Sequence, residues 1–266
     1  MNLNAQPTRR VFAFGCSFTK YFWPTWADIL SKQVRPLEYH NHGLMGSGNP
    51  YIAHSFHLNN IIHNFNSQDI VVICWSNIFR NDWFLDYQWS QEGNVYANHG
   101  KYNSLLTDDL KEPSNYLARD LMNIYGVMKS CELSGCRYKH LTMIPLADTF
   151  DKIDLSHPEI QPLANYVLPR LEKSFTEVLG DQVEQNWYDH FPQDKFNPNL
   201  EWDRHPMPGH HFKYLTEIFS DTEFDRELLG IASQAEMEAV KILTETDRNT
   251  EDFQSYFESQ DAIELC

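Results

Sequence analysis

Residues Asp69–Trp75 form the stretch that most constrains the fold of this chain. They read Asp-Ile-Val-Val-Ile-Cys-Trp and lack the alternation of polar and apolar side chains that marks a half-exposed strand. An uninterrupted apolar strand is typical of the centre of a parallel sheet, where helices cover both faces. The sequence therefore predicts an α/β fold built around this strand.

Other strand-like segments alternate with helix-like segments along the chain. Further strands are predicted at residues 11–14, 37–40, 138–144 and 183–188. Apolar residues recur at helical spacing at 26–34, 58–65, 117–128, 171–178 and 212–219. The apolar side chains of the second of these segments are Leu58, Ile61, Ile62 and Phe65. This alternation predicts a three-layer α/β sandwich with a mostly parallel, five-stranded sheet.

Two segments stand outside this alternation. Residues 78–113 are rich in aromatic side chains without clear periodicity, which predicts an irregular insertion over one end of the sheet. Residues 221–266 form an acidic, helical extension beyond a main domain at 1–220. Ser233 and Glu236 have the spacing of a capping box, which places a helix start there. The pattern leaves open whether this extension packs on the domain, binds a partner or frays.

Composition excludes some classes of protein. The 266 residues carry a formal net charge of −16, which repels phosphate backbones and anionic membranes and argues against nucleic-acid binding. The five cysteines show no C-x-x-C pair, which favours reduced thiols over a disulfide framework. We find no signal-peptide pattern and no long apolar run, so the expectation is a soluble, cytoplasmic protein that does not span a membrane.

Three polar loops follow predicted strands, a fourth precedes the helix near 208, and together they supply the parts of an acyl-transfer site. Ser17 follows the first strand and would be the nucleophile. His205 would accept its proton, and Asp203 would hold the imidazole in the required tautomer. The backbone N–H groups of Ser17 and Gly46 and the side-chain amide of Asn77 would stabilise the oxyanion. This chemistry requires no cofactor and no metal.

The same residues lie in four blocks that resemble the SGNH/GDSL hydrolase superfamily. The blocks span residues 15–19, 41–46, 75–77 and 203–206, in the order that the family shows. The resemblance implies a flavodoxin-like sheet and ester hydrolysis. It implies signature roles for Ser17, Gly46, Asn77 and His205. The G-C-S-F-T start is similar to that of uncharacterised bacterial and phage-encoded members.

The chain departs from the family pattern at several positions. Cys16 stands where the family usually has Asp, and Trp75 stands where the third block often has Gly. Ile78 follows Asn77 where Asp is common. One residue separates Asp203 from the histidine, whereas many members have two.

Each candidate residue also has a structural interpretation. Ser17 could cap the following helix, and Asn77 could cap a helix as well. Gly46 could serve a turn that needs positive φ, and His205 could be a helix-entry residue. A zinc site is a further alternative. Its candidate ligands are His54, His57, Asp203, His205, His210 and His211.

The leading hypothesis from the sequence is a serine esterase or deacylase acting on a small-molecule or glycan ester, with O-acetyl groups of a carbohydrate as candidates. Trp75, Arg80 and Trp202 are candidate substrate contacts, and the aromatic stretches at 83–102 and 187–202 could form a core, a lid or a sugar-stacking platform. The competing hypothesis is a non-enzymatic carbohydrate-binding or assembly module, possibly phage-related, that keeps the fold with a degenerate site.

Overall fold

The computed structural model describes residues 1, 3, 8–94, 112–146, 153–180 and 205–245. The strands are β1 Arg10–Gly15, β2 Glu38–Gly43, β3 Asp69–Trp75, β4 Arg80–Leu85, β5 Gln88–Asn94 and β6 Arg137–Thr142. The helices are α1 Trp26–Val34, α2 Asn49–His63, α3 Pro113–Ser134, α4 Gln161–Val167, α5 Phe175–Leu179, α6 Pro208–Ile218 and α7 Arg226–Glu245.

Four strands form a parallel sheet in the order β2–β1–β3–β6. All seven residues of β3 are buried, as the uninterrupted apolar pattern predicted. Their side chains alternate between two cores, with Val71 and Ile73 on one face and Ile70 and Val72 on the other. The predicted fifth strand at 183–188 lies outside the described residues.

Helices cover both faces of this sheet. Buried side chains of α2, α3 and α4 pack in one core, and those of α1, α5, α6 and α7 pack in the other. The predicted α/β class and mostly parallel sheet are therefore confirmed. Because all four strands run the same way, their carboxyl ends meet at one edge, where ligand sites of open α/β sheets form.

The predicted helix near 58–65 exists, but its buried face is not the one that the apolar spacing indicated. Helix α2 begins at Asn49, and Ile52 and Phe56 are fully buried. Ile61 and Ile62 are 81% and 64% exposed, because the last turns of α2 direct them away from the sheet. The apolar stripe of Leu58, Ile61 and Ile62 lies on the outer side of the helix, and the polar Asn59 lies on the buried side.

The aromatic insertion is a regular hairpin over its described part. Strands β4 and β5 pair antiparallel, with Phe84 opposite Trp89, and the left-handed residues Asp86 and Tyr87 form the turn. The expectation of irregular structure was wrong for residues 80–94. Aromatic side chains favour strands, and the turn lacks the Asn-Gly or Asp-Gly pair that usually announces a hairpin. Residues 95–111 lie outside the described part of the chain.

The described part of the C-terminal extension is helix α7, which packs on α1 and α6 and buries Leu228, Ala232 and Ala235. The predicted helix start at Ser233 was wrong, since this residue lies inside α7 and bonds to the Leu229 carbonyl. Residues 246–266 are not described. No helix among the described residues combines the length and apolar character needed to cross a membrane.

Candidate active site

The loop after β1 carries Ser17 and depends on Gly15. A Cβ atom at Gly15 would collide with Thr19 Oγ1 and lie 2.9 Å from the Cys74 carbonyl oxygen. Ser17 is only 3% exposed, and its hydroxyl has no hydrogen-bond partner among the described residues. Thr25, not Ser17, caps α1, because the Thr25 hydroxyl accepts a hydrogen bond from the Ala27 N–H. The helix-capping interpretation of Ser17 is therefore wrong.

The second loop packs directly on the first. The Asn41 amide donates to the Thr19 carbonyl at 2.9 Å, and its oxygen accepts from the Gly43 N–H at 3.0 Å. The Gly15 carbonyl accepts a bond of 3.2 Å from the Ser47 hydroxyl. Gly46 lies in the turn between these contacts with φ of 78°, so a left-handed turn is part of its role.

The third loop follows β3 and carries Asn77. The Asn77 side-chain oxygen accepts a hydrogen bond of 2.8 Å from the Phe79 N–H, so the residue forms a local turn instead of a helix cap. This bond fixes the amide and leaves its NH₂ group without a partner among the described residues. An amide held in this way can donate to a ligand oxygen.

Loops two and three are bonded to each other. Arg80 donates to the Ser47 carbonyl at 3.0 Å, and Asp82 accepts from the N–H groups of Gly48 and Tyr51 at the start of α2. Sequence reasoning missed Asp82, which satisfies free N–H groups of a helix start. Arg80, predicted as a substrate contact, joins the two loops through this bond.

The fourth segment meets the first loop through aromatic rings. The His205 ring stacks on Tyr21 with centroids 3.9 Å apart and planes at 17°, and it lies 5.7 Å from the Phe18 ring. Trp23 donates its indole N–H to the Pro206 carbonyl at 2.8 Å. The structure thus brings His205 to the loop that begins with Ser17. Asp203 and Trp202 lie outside the described residues.

Trp75 does not fit its predicted role as a substrate contact. Its side chain is fully buried in β3, and its indole N–H donates to His140 Nδ1 at 3.1 Å. His140 is buried too, and this burial lowers its pKa to about 3, so the ring stays neutral and accepts the bond. The pair belongs to the core, and the prediction for Trp75 was wrong.

The histidines of the zinc alternative have structural contacts. His54 lies against Trp89, and His211 is buried against Phe175. His210 Nδ1 accepts from the Met207 N–H at the start of α6. Within the described ranges, no three His, Cys, Asp or Glu side chains converge as metal ligands. Asp203 falls outside those ranges.

No protein-family model and no curated protein matches this chain. Solved structures of GDSL-type proteins are similar to it. A lipolytic G-D-S-L family member from Veillonella parvula is 14% identical, with 80% of this chain and 99% of that chain covered and a TM-score of 0.40. A GDSL-like lipase from Bacteroides thetaiotaomicron is 16% identical, with 80% and 86% covered and a TM-score of 0.37.

A third similar structure is the psychrotrophic esterase EstA from a Pseudoalteromonas species, in a form inhibited by monoethylphosphonate. It is 7% identical, with 80% of this chain and 97% of that chain covered and a TM-score of 0.41. The first two neighbours carry the family name that the four blocks suggested.

Proposed function

We propose that this protein is a serine ester hydrolase that removes a small acyl group. Ser17 Oγ attacks the ester carbonyl carbon while His205 accepts the hydroxyl proton. The tetrahedral intermediate collapses, the C–O bond to the alcohol breaks, and His205 returns the proton to the leaving oxygen. Water then attacks the acyl-serine with His205 as base, which releases the carboxylic acid and restores Ser17.

The observation that carries this proposal is the seating of His205 on the loop of Ser17. Tyr21 stacks on the imidazole, and Trp23 bonds to the next residue, Pro206. These contacts bring the His205 segment to the loop of Ser17, which supports the assignment of His205 as the base. We assign Asp203 the role of orienting the imidazole.

Three donors are available for the oxyanion in this proposal. They are the N–H groups of Ser17 and Gly46 and the Asn77 amide, whose oxygen is already engaged by Phe79. Removing one such donor typically costs about 10²–10³ in kcat. The bonds between the loops support this role, because preorganised donors need no rearrangement as charge develops.

We further propose an O-acetylated carbohydrate as the substrate. Hairpin β4–β5 begins at Arg80, directly after the Asn77 turn. It presents Trp83 at 38% exposure, Phe84 at 55% and Tyr87 at 93%. An exposed aromatic face suits the apolar face of a sugar ring, since it offers both area and rigidity.

Hydrolysis of p-nitrophenyl acetate and of an acetylated xylo-oligosaccharide by the wild type and by Ser17→Ala tests the proposal. We expect hydrolysis of both substrates and loss of activity in the variant, together with fluorophosphonate labelling of the wild type alone. Ser31→Ala, on the outer part of α1, is the control and should keep full activity. Equal rates for wild type and Ser17→Ala would overturn the serine mechanism.

The same experiment separates the competing interpretations. A non-enzymatic carbohydrate-binding module would show no labelling and would bind acetylated glycan equally well after Ser17→Ala. Metal-dependent hydrolysis would show loss of activity with a chelator, whereas we expect none.

A further inference from the structure

Asn49, at the start of α2, forms a two-point hydrogen bond with the peptide of Ser76. Its side-chain oxygen accepts from the Ser76 N–H at 2.8 Å, and its NH₂ group donates to the Ser76 carbonyl at 3.2 Å. Asn49 is fully buried, and Ser76 is the first residue beyond β3. The amide thus pairs with the backbone directly before Asn77, where strand pairing has ended.

Asp120 fixes the orientation of this amide. It lies fully buried on α3, and its Oδ2 accepts from the Asn49 NH₂ group at 2.7 Å. Because an ionised carboxylate can only accept, the nitrogen of Asn49 must face Asp120 and its oxygen must face the Ser76 N–H. The second oxygen of Asp120 accepts from Arg119 Nε at 2.7 Å.

Arg119 holds the backbone on the other side of Asn77. Its Nη2 donates to the carbonyl oxygens of Ile78 and Arg80, each at 3.1 Å, and its Nη1 donates to Asn81 at 2.6 Å. The third loop is therefore held before and after Asn77 by two adjacent residues of α3, one acting through Asn49.

This arrangement is poorly explained by stability alone. Burial raises the pKa of Asp120 to about 6, a shift that Asp82 increases and that Arg119 and Asn49 oppose. Desolvation of a buried ion pair offsets much of its attraction, so such pairs add little net stability. The hydrogen bonds of Asn49 and Arg119 converge on the backbone on either side of Asn77. This is the pattern expected of residues that fix the position of the Asn77 side chain.

We propose that Asn49, Asp120 and Arg119 are positioning residues that aim the Asn77 amide at the oxyanion of the ester hydrolysis; this inference rests on the proposed function. In Asp120→Asn, an NH₂ group replaces one of the two carboxylate oxygens that accept from Asn49 and Arg119. One of these donors then loses its acceptor, so the network must rearrange. A small displacement of a group that acts on the transition state reduces kcat and leaves ground-state binding nearly unchanged.

A double-mutant cycle on p-nitrophenyl acetate hydrolysis tests the proposal, with Asp120→Asn, Asn77→Ala, the double variant and Ser17→Ala. We expect Asp120→Asn to lower kcat about tenfold with KM nearly unchanged, and to have no further effect in the Asn77→Ala background. Asp225→Asn, an exposed acid of the loop before α7, is the charge-matched control and should match the wild type.

Arg119→Gln replaces Asp120→Asn in the cycle if the latter does not fold, as judged by thermal unfolding. The positioning role would be overturned if Asp120→Asn or Arg119→Gln lowered kcat by the same factor with and without Asn77→Ala, while Ser17→Ala stays inactive. A rise in KM as large as the fall in kcat would overturn it as well. Wild-type activity in Ser17→Ala would instead overturn the serine mechanism, and the positioning role with it.

Discussion

The indole nitrogen of Trp23 donates a 2.8 Å hydrogen bond to the carbonyl oxygen of Pro206, 183 positions further along the chain. The Trp23 side chain is 1% exposed, so this bond is shielded from water. It joins the two segments that carry the proposed nucleophile and base. A site assembled from both ends of a domain depends on such long-range contacts more than on either segment alone.

Trp23→Phe should weaken this connection. The substitution leaves the Pro206 carbonyl without this donor, so we expect a loss of about 1–2 kcal/mol in the free energy of unfolding and a reduced kcat. Urea unfolding and p-nitrophenyl acetate kinetics measure both effects.

Trp26→Phe is a matched control for this prediction. Trp26 is equally buried, but its indole nitrogen has no hydrogen-bond partner in the described part of the chain. Removing that N–H breaks no bond, so Trp26→Phe should destabilise the protein less than Trp23→Phe, through the lost ring volume alone. Equal destabilisation by both substitutions would contradict the role of the Trp23 bond.

Gly15→Ala should disturb the loop of Ser17. The added methyl group meets Thr19 and the Cys74 carbonyl, and the backbone oxygen cannot move without breaking β3. We expect about 1–3 kcal/mol of destabilisation, as for other overpacked sites, and at least tenfold lower activity.

Gly126→Ala provides the comparison for Gly15→Ala. Gly126 lies inside α3, and a methyl group there would find its nearest neighbour, His57 Nε2, at an ordinary 3.8 Å. Alanine in a helix interior should stabilise the protein by about 0.5–1 kcal/mol without a change in activity. A stabilised, fully active Gly15→Ala protein would show that the tight approach at the loop is unimportant.

Stability should fall in acid partly because of His140. Its pKa of about 3 in the folded protein lies below the ordinary value of 6.5, so between these values the unfolded chain binds more protons. Stability from this group is therefore present above pH 6.5 and is lost as the pH falls, by about 3 kcal/mol at pH 4.

Urea unfolding at pH 7 and pH 4 checks this prediction with His140→Gln, whose amide oxygen can still accept from Trp75. The variant should lose less stability on acidification than the wild type. Burial also lowers the pKa of His42 to about 4, so some acid sensitivity will persist. His157→Gln, a substitution at an exposed position, should lose as much stability between pH 7 and pH 4 as the wild type does. If His140→Gln also loses as much stability as the wild type, His140 does not cause the acid sensitivity.

The hairpin should contribute to carbohydrate binding. Trp83→Ala is expected to raise KM for an acetylated xylo-oligosaccharide about five- to tenfold, since one aromatic contact contributes about 1 kcal/mol. Hydrolysis of p-nitrophenyl acetate, which has no sugar, should change little. Leu37→Ala, at a position 84% exposed and just before β2, should affect neither substrate. A parallel loss on both substrates would argue against a sugar platform.

The parts of the fold that sequence reasoning predicted well are those that local patterns control. The buried run of β3 is an example, because its uninterrupted apolar residues are neighbours in the sequence. The face of α2 was predicted wrongly because its apolar stripe at Leu58, Ile61 and Ile62 is exposed, whereas the polar Ser55 and Asn59 lie on the buried side. The hairpin was missed because Tyr87 stands at a turn position where Gly is common, and tyrosine rarely adopts a left-handed backbone.

For the candidate site, the sequence could predict which segments lie near the carboxyl-end edge of the sheet, but not the contacts between them. Ser17 was selected because it follows a strand of the parallel sheet, and His205 because it is an imidazole with an acid, Asp203, close by in the sequence. The contacts that hold them, from Tyr21 and Trp23, join distant parts of the chain and leave no periodic signal. Asp120 did leave a signal in the sequence. It is a carboxylate on the apolar face of a predicted helix, and a buried carboxylate needs a hydrogen-bonding partner.

Glu236 of α7 accepts a hydrogen bond of 2.8 Å from the Gly209 N–H, at the beginning of the helix that follows His205. A carboxylate at that position also offsets the positive end of the helix dipole. During synthesis on the ribosome, the His205 segment gains this anchor only once residue 236 has emerged. Protease nicking between α6 and Glu236 should likewise loosen the segment while the sheet stays intact.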